Sequence, residues 1–351
     1  MLRLFCDRRI KPDRYYVAEK EESMFVPKEL QACVCFIYCN QGGEKTPAGT
    51  AFFIAIPDEQ QKGQKMGWTY AVTSRHVIED IKKEGDDFKV YFRLNRRRGK
   101  TEFVETQAKD WIYHQDDPMV DVAIFPWQPP FTDFETDIIW NATFATEEVI
   151  EKYCVGTGDE VFVVGLFSMR LGRGKNIPIV RIGNIAAMPS EPINTVVGKS
   201  SGLMQAYLIE ARSTSGLSGS PVFVNLGTSR KIGKRTLHAT ATKNDPRGVF
   251  YLIGIMHGHY DDLETKTPLT DKRINMGIGI VAPIEQLNEI LNQPVARKIR
   301  NEMKEQYMKE TRPTLDSNLL ARSVIEAAIG EPLISPKKKK KPVKKGSKRA
   351  S

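Results

Sequence analysis

The chain has 351 residues, enough for two or three structural units around a sizeable core. It is 40% hydrophobic and 27% charged, the composition of an ordinary soluble protein, and its longest apolar runs, AFFIAI and VFVVGLF, are far too short to span a bilayer. The formal net charge of +9 sits in one place: residues 336–351 hold eight lysines and Arg349 with no acid, so residues 1–335 sum to zero.

The opening stretch, MLRLFCDRRIKPDR, has only a brief apolar patch broken by Asp7 and lacks the apolar core of a secretory signal. The expectation is an intracellular, cytoplasmic protein with an N-terminal extension over 1–24. From about Glu29 the pattern changes to short β-branched and aromatic runs between Gly, Pro, Asn and charged turns. QACVCFIYC, GTAFFIAIP, WTYAVTS, FKVYFRL and VDVAIF come first. After Cys154 follow VFVVGLF, IPIVRIGNIAAM, QAYLIEA, PVFVN, GVFYLIGIM and MGIGIVA. Many short strands without intervening helices point to antiparallel barrels or sandwiches, and the two strand-rich stretches, about 25–150 and 155–282, could be two similar barrels.

The first convincing helix is late, PIEQLNEILNQ at 283–293, with Ile284, Leu287 and Leu291 at helical spacing. Pro294 interrupts it. VARKIRNEMKEQYMKE and LDSNLLARSVIEAAIG are further helix candidates within a helical extension over 293–335. The Lys-rich tail, 336–351, has almost nothing to bury and reads as disordered. The five cysteines, Cys6, Cys33, Cys35, Cys39 and Cys154, are odd in number and sparse, which argues against a disulfide framework. Cys33, Cys35 and Cys39 share one face of a strand and read as small core residues with no partner cluster for a metal.

One stretch stands apart from these elements. STSGLSGSPVF, residues 213–223, packs Gly216, Ser218 and Gly219 together directly before an apolar run. Such a turn suits solvent, but it also suits a nucleophile whose flanking N–H groups face a substrate oxygen. A serine nucleophile needs a base and a group to orient that base. Of five histidines, His76 sits in YAVTSRHVIED, just after a strand and at the start of a helical turn. Asp121, in PMVDVAIFPW, precedes an apolar strand that can bury and aim it; Asp110, Asp116 and Asp117 lie in wetter contexts. The order His76, Asp121, Ser218 is that of the chymotrypsin type, and the acid ahead of the serine excludes an α/β-hydrolase elbow.

These ordered motifs resemble those of the trypsin-like serine peptidases. AGTAFFI is similar to the strand before that family's histidine, VTSRHVIE to its histidine motif, DVAIF to its aspartate motif, and GLSGSPVF to its serine motif. GDEVFVVGLF and RIGNIAA resemble the opening of its second barrel, YLIGIMHG its pocket-lining strand, and MGIGIVAPIEQLNEIL its closing strand and helix. Ser74 and Arg75 replace the family's usual small residues, and Ser220 stands where Gly is commoner.

The resemblance implies an all-β fold of two antiparallel barrels over 25–292, with a closing helix at 283–292 and the active site between the barrels. It implies a serine endopeptidase acting on protein or peptide substrates through His76, Asp121 and Ser218, with the N–H groups of Gly216 and Ser218 as oxyanion hole. No metal or organic cofactor is needed. Leu217 stands where digestive relatives carry an Asp that pairs with a newly cut N-terminus, so activation by N-terminal cleavage is not expected. Arg212 stands where trypsin has its pocket carboxylate, which argues against cleavage after Lys or Arg. A primary pocket near Arg212, His257, Gly258 and His259 would favour an acidic or small polar side chain. Two other classes remain open at this level: an inactive peptidase-fold binding module, and a nucleic-acid-associated protein whose Lys-rich tail contacts phosphates or anionic surfaces weakly.

Overall fold

The computed structural model describes residues 26–57, 67–127, 132–211, 216–232, 234–238, 249–262 and 274–310. Strands dominate. A short helix, α1 (Lys28–Ala32), leads into β1 (Val34–Gln41), β2 (Glu44–Pro57) and β3 (Gly67–Thr73), followed by α2 (Arg75–Glu84). Then come β4 (Lys89–Asn95), β5 (Thr101–Gln107), β6 (Ile112–Tyr113), β7 (Ala123–Pro126), β8 (Ile139–Trp140) and α3 (Glu147–Tyr153). The second half holds β9 (Glu160–Gly165), β10 (Ile179–Ala187), β11 (Ile193–Val197), β12 (Ser200–Met204) and β13 (Tyr207–Glu210). It continues with β14 (Pro221–Asn225), β15 (Ser229–Ile232), β16 (Arg235–His238), β17 (Phe250–Asp262) and β18 (Ile274–Pro283), and ends in α4 (Ile284–Asn292) and α5 (Pro294–Glu310).

The first half is a sheet in the order β5-β4-β1-β2-β3-β7-β6, with β8 added in parallel beside β2. The long runs in β1 and β2 are apolar at every position because both of their faces are covered. One face of β1, Cys35, Ile37 and Cys39, enters a core with Phe53, Phe92 and Trp111. The other face, Phe36 and Tyr38, packs with Tyr91 and with Leu166 from the second half. The period of two along one strand thus serves both the sheet's own core and the contact between the halves. Helix α2 turns Val77, Ile78 and Ile81 into the first core, which fixes the helix over the sheet.

The second half is a closed antiparallel barrel, β10-β13-β18-β17-β14-β9. Its core includes Phe162 stacked on Phe223 with ring centroids 5.2 Å apart, and Phe250 edge-on to Phe162. Two hairpins, β11-β12 and β15-β16, stand outside the barrel path.

The all-β expectation therefore holds, with one difference in detail. Where the sequence implies two barrels, strand pairing closes the second, while in the first, β5 and β6 are the ends of an open path among the described residues. Cys33, Cys35 and Cys39 are buried, as small core residues should be. Helix α4 falls where the spacing of Ile284, Leu287 and Leu291 places it, and α5 begins at Pro294, a residue well suited to a first helical position.

The chain divides into compact units at 1–297 and 298–351; of the second, 298–310 is described. The N-terminal extension, the helix candidate LDSNLLARSVIEAAIG and the Lys-rich tail lie outside the described residues. No helix among the described residues is long and apolar enough to cross a membrane.

Candidate active site

The turn that carries Ser218 is held against the first half by backbone, not by chance proximity. The Thr50 N–H donates to the Ser218 carbonyl at 3.0 Å. The Thr50 hydroxyl donates to the Gly216 carbonyl and accepts from the Leu166 N–H, both at 2.9 Å. Thr73 closes the lattice by donating its hydroxyl to the Thr50 carbonyl at 2.7 Å. Gly219, at φ +82°, lies so close that a Cβ there would meet Thr73 Oγ1 at 2.1 Å and the Thr50 carbonyl at 2.2 Å. Only glycine fits, because both the backbone angle and the space exclude a side chain. This turn therefore abuts the end of β3 at Thr73, three residues before His76.

His76 is set by α2. Ser74 occupies the N-cap position, yet its hydroxyl donates across to the Met256 carbonyl of β17 at 3.0 Å. The first turn of the helix is satisfied from outside instead: the His76 N–H donates to Asp121 Oδ1 at 2.9 Å. The ring of the same residue places Nδ1 2.8 Å from Asp121 Oδ2. Asp121 thus grips His76 twice, by backbone and by ring, and is itself fully buried ahead of β7.

A second imidazole shares that carboxylate. His257 Nδ1 lies 2.6 Å from Asp121 Oδ2, and the His76 and His257 rings meet edge to face with centroids 5.2 Å apart. The cause is a register shift: Met256 pairs with Val281 and Gly258 with Ile280, which leaves His257 as the extra residue of a β-bulge. Bulges re-aim side chains in this way. Its far nitrogen, Nε2, lies 3.4 Å from Thr195 Oγ1 on β11.

Burial disfavours the charge of Asp121, but His76 and His257 outweigh it and hold the carboxyl well below its ordinary range. For His76, burial disfavours the imidazolium. The charge and hydrogen bond of Asp121, followed by Asp80 and Glu79, outweigh that and raise its pKa above 6.5.

The three side chains also offer a carboxylate oxygen and two ring nitrogens within 4.8 Å of one another. Their N–O separations of 2.6 and 2.8 Å suit hydrogen bonds. Ligands around a tetrahedral zinc ion stand roughly 3.3 Å apart, so the arrangement fits shared protons better than a metal.

Of the residues singled out from sequence, His76 and Asp121 are joined and Ser218 lies on the turn packed against their platform. The Ser218 hydroxyl donates to the His257 carbonyl at 3.1 Å. Among the described residues, no protein acceptor takes the N–H of Gly216 or of Ser218. Leu217 is fully buried. Gly258 borders open space, with nothing within 4 Å of where a Cβ would stand, and His259 is half-buried. His257 lies on the same strand but turns its ring to Asp121. Arg212 lies outside the described residues. Sequence reading has no signal for Thr195, for the supporting role of Thr50, or for the aim of His257, since a bulge has no residue signature.

The structure is similar to solved serine proteases of the chymotrypsin fold. Among them are the active form of the Rv3671c protease from M. tuberculosis (17% identity, 75% of this chain and 80% of that one, TM-score 0.39) and catalytically active tobacco etch virus protease complexed with product (11%, 78% and 85%, TM-score 0.39). A third is the drosophila Grass clip serine protease of the Toll pathway (12% identity, 82% of this chain and 73% of that one, TM-score 0.40). No family profile and no curated protein sequence matches the chain.

Proposed function

We propose that this protein is a serine endopeptidase in which Ser218 is the nucleophile, His76 the general base and Asp121 the group that orients the base. The observation that carries this reading is the double grip of Asp121 on His76 next to a glycine-walled turn that presents Ser218. With Nδ1 engaged by Asp121, the proton of His76 is held there and Nε2 is left as the base. The mechanism requires the Ser218 hydroxyl to leave the His257 carbonyl and turn to Nε2 by rotation about the Cα–Cβ bond. The oxygen then attacks the scissile carbonyl as the proton passes to His76. The imidazolium returns that proton to the leaving amine, and water resolves the acyl-enzyme by the same route in reverse.

The N–H groups of Gly216 and Ser218 serve as the oxyanion hole, each donor contributing about 3 kcal/mol to the transition state. The positive φ of Gly216, +97°, supports that aim of the backbone. The primary pocket lies beside Gly258 and His259; Arg212, which the sequence resemblance assigns to it, lies outside the described residues. The sequence at 254–259 and 211–218 has no carboxylate, so a cationic P1 side chain would lose its hydration without a partner there.

Profiling a peptide library with wild type and Ser218→Ala tests the reading. Cleavage by wild type only, with acidic or small polar residues at P1, is expected. A preference for Lys or Arg would overturn the pocket assignment, and equal cleavage by Ser218→Ala would overturn the nucleophile.

A further inference from the structure

Asp121 Oδ2 receives two imidazoles, and the triad uses only one of them. The geometry points to His257 as a positioning residue: its Nδ1–H donates to Asp121 alongside that of His76, fixes the plane of the carboxylate and divides its hydrogen-bonding capacity between the two rings. This inference rests on the peptidase reading for its consequence in turnover, but not for its geometry.

Three observations carry it. The 2.6 Å separation is the shorter of the two ring contacts to Asp121, and His257 is 9% exposed, so the bond is shielded from water. His257 is the extra residue of a bulge, a backbone irregularity that aims its ring at Asp121. Thr195 of the β11-β12 hairpin faces the other ring nitrogen, so the ring is addressed at both ends. The charged and titratable groups that meet this ring among the described residues are Asp121, from the segment before β7, and His76, from α2; Glu79 and Asp80 act on His76 from that helix.

The proton inventory follows from donors and acceptors. Asp121 is a carboxylate and can only accept, so both rings carry their proton on Nδ1. His76 then has Nε2 as the base, and His257 turns its Nε2 to the Thr195 hydroxyl. A carboxylate that already accepts a second donor stabilises the His76 imidazolium less than it would alone. His257 therefore tempers the basicity of His76 while holding its partner in place.

The experiment uses full-length protein with ¹⁵N-labelled histidine in a Ser218→Ala background, so that no turnover is needed. Nitrogen shifts at neutral pH are expected to show both His76 and His257 protonated on Nδ1, and His257→Phe is expected to raise the His76 midpoint by about one pH unit. His257→Asn, whose amide nitrogen stands near the place of Nδ1, is expected to bring the midpoint back toward wild type. A His257 protonated on Nε2 overturns the assignment without any variant, as does a midpoint that His257→Phe leaves unmoved. In the Ser218 enzyme, His257→Phe is expected to lower kcat about tenfold with KM within twofold, and His257→Asn to recover most of the loss. Loss confined to KM would instead make His257 a pocket residue. If no form cleaves peptides, the peptidase reading fails while the nitrogen shifts still decide the role of His257.

Discussion

Asp121 is fully buried and accepts three hydrogen bonds, from the His76 N–H and from two ring nitrogens. Its carboxyl therefore stays ionised far into acid, and in the proposed enzyme His76 would set the acid limit of activity. Because the His76 pKa is raised, the neutral base is lost as pH falls through a value above 6.5, so kcat/KM is expected to halve above that pH and to fall further below it. A pH–rate profile checks this. Asp121→Asn cannot hold the tautomer and is expected to lower kcat by about 10³–10⁴. The same group has a sign for stability. A carboxyl with a depressed folded pKa stabilises above its ordinary value of about 3.9, and that contribution is withdrawn as pH falls below it. The stability gap between wild type and Asp121→Asn in urea unfolding should accordingly narrow below about pH 4. Ser220 gives a converse case. Its hydroxyl is buried with no partner among the described residues and would stand 1.9 Å from a Cβ on Gly165. Ser220→Ala is expected to be neutral or to stabilise by up to about 1 kcal/mol in thermal unfolding, since it removes an unmet polar group.

At the scale of elements, the site depends on where β2, β3 and the 216–220 turn cross. Thr50 is the joint, with its N–H, hydroxyl and carbonyl all engaged by the turn, Leu166 or Thr73. Thr50→Val keeps the shape but leaves the buried Leu166 N–H unmet. It is expected to cost about 1–3 kcal/mol in urea unfolding and to lower kcat more than it raises KM. Such joints explain what was legible in advance. The AGTAFFI, VTSRHVIE and GLSGSPVF segments are continuous in sequence, and their strand and turn character is local, so they could be read directly. The His257 bulge is a mismatch between β17 and β18 and exists only once both strands are paired. The β11-β12 hairpin alternates half-buried and exposed positions with Ser, Asn and Gly among them, too polar to stand out as strands. Helix α3 is a short EEVIEKY segment with one buried residue, Tyr153, too little for a helical pattern to show.

At the scale of the molecule, the two halves divide the work. The open sheet with α2 supplies His76 and Asp121, and the closed barrel supplies Ser218 and His257. Net charge lies elsewhere, in 336–351. Removing that segment is expected to leave thermal unfolding and peptide turnover unchanged while weakening retention on an anionic column, because all of the +9 goes with it. Turnover that falls with the truncation would tie the tail to the site. The central claim is that Ser218 is a nucleophile activated by His76. Labelling with an active-site-directed fluorophosphonate, read by intact mass and peptide mapping, tests it most directly. The account predicts one adduct, on Ser218, absent in Ser218→Ala and strongly slowed in His76→Ala; a folded wild type that takes no label, or takes it on another residue, would contradict it.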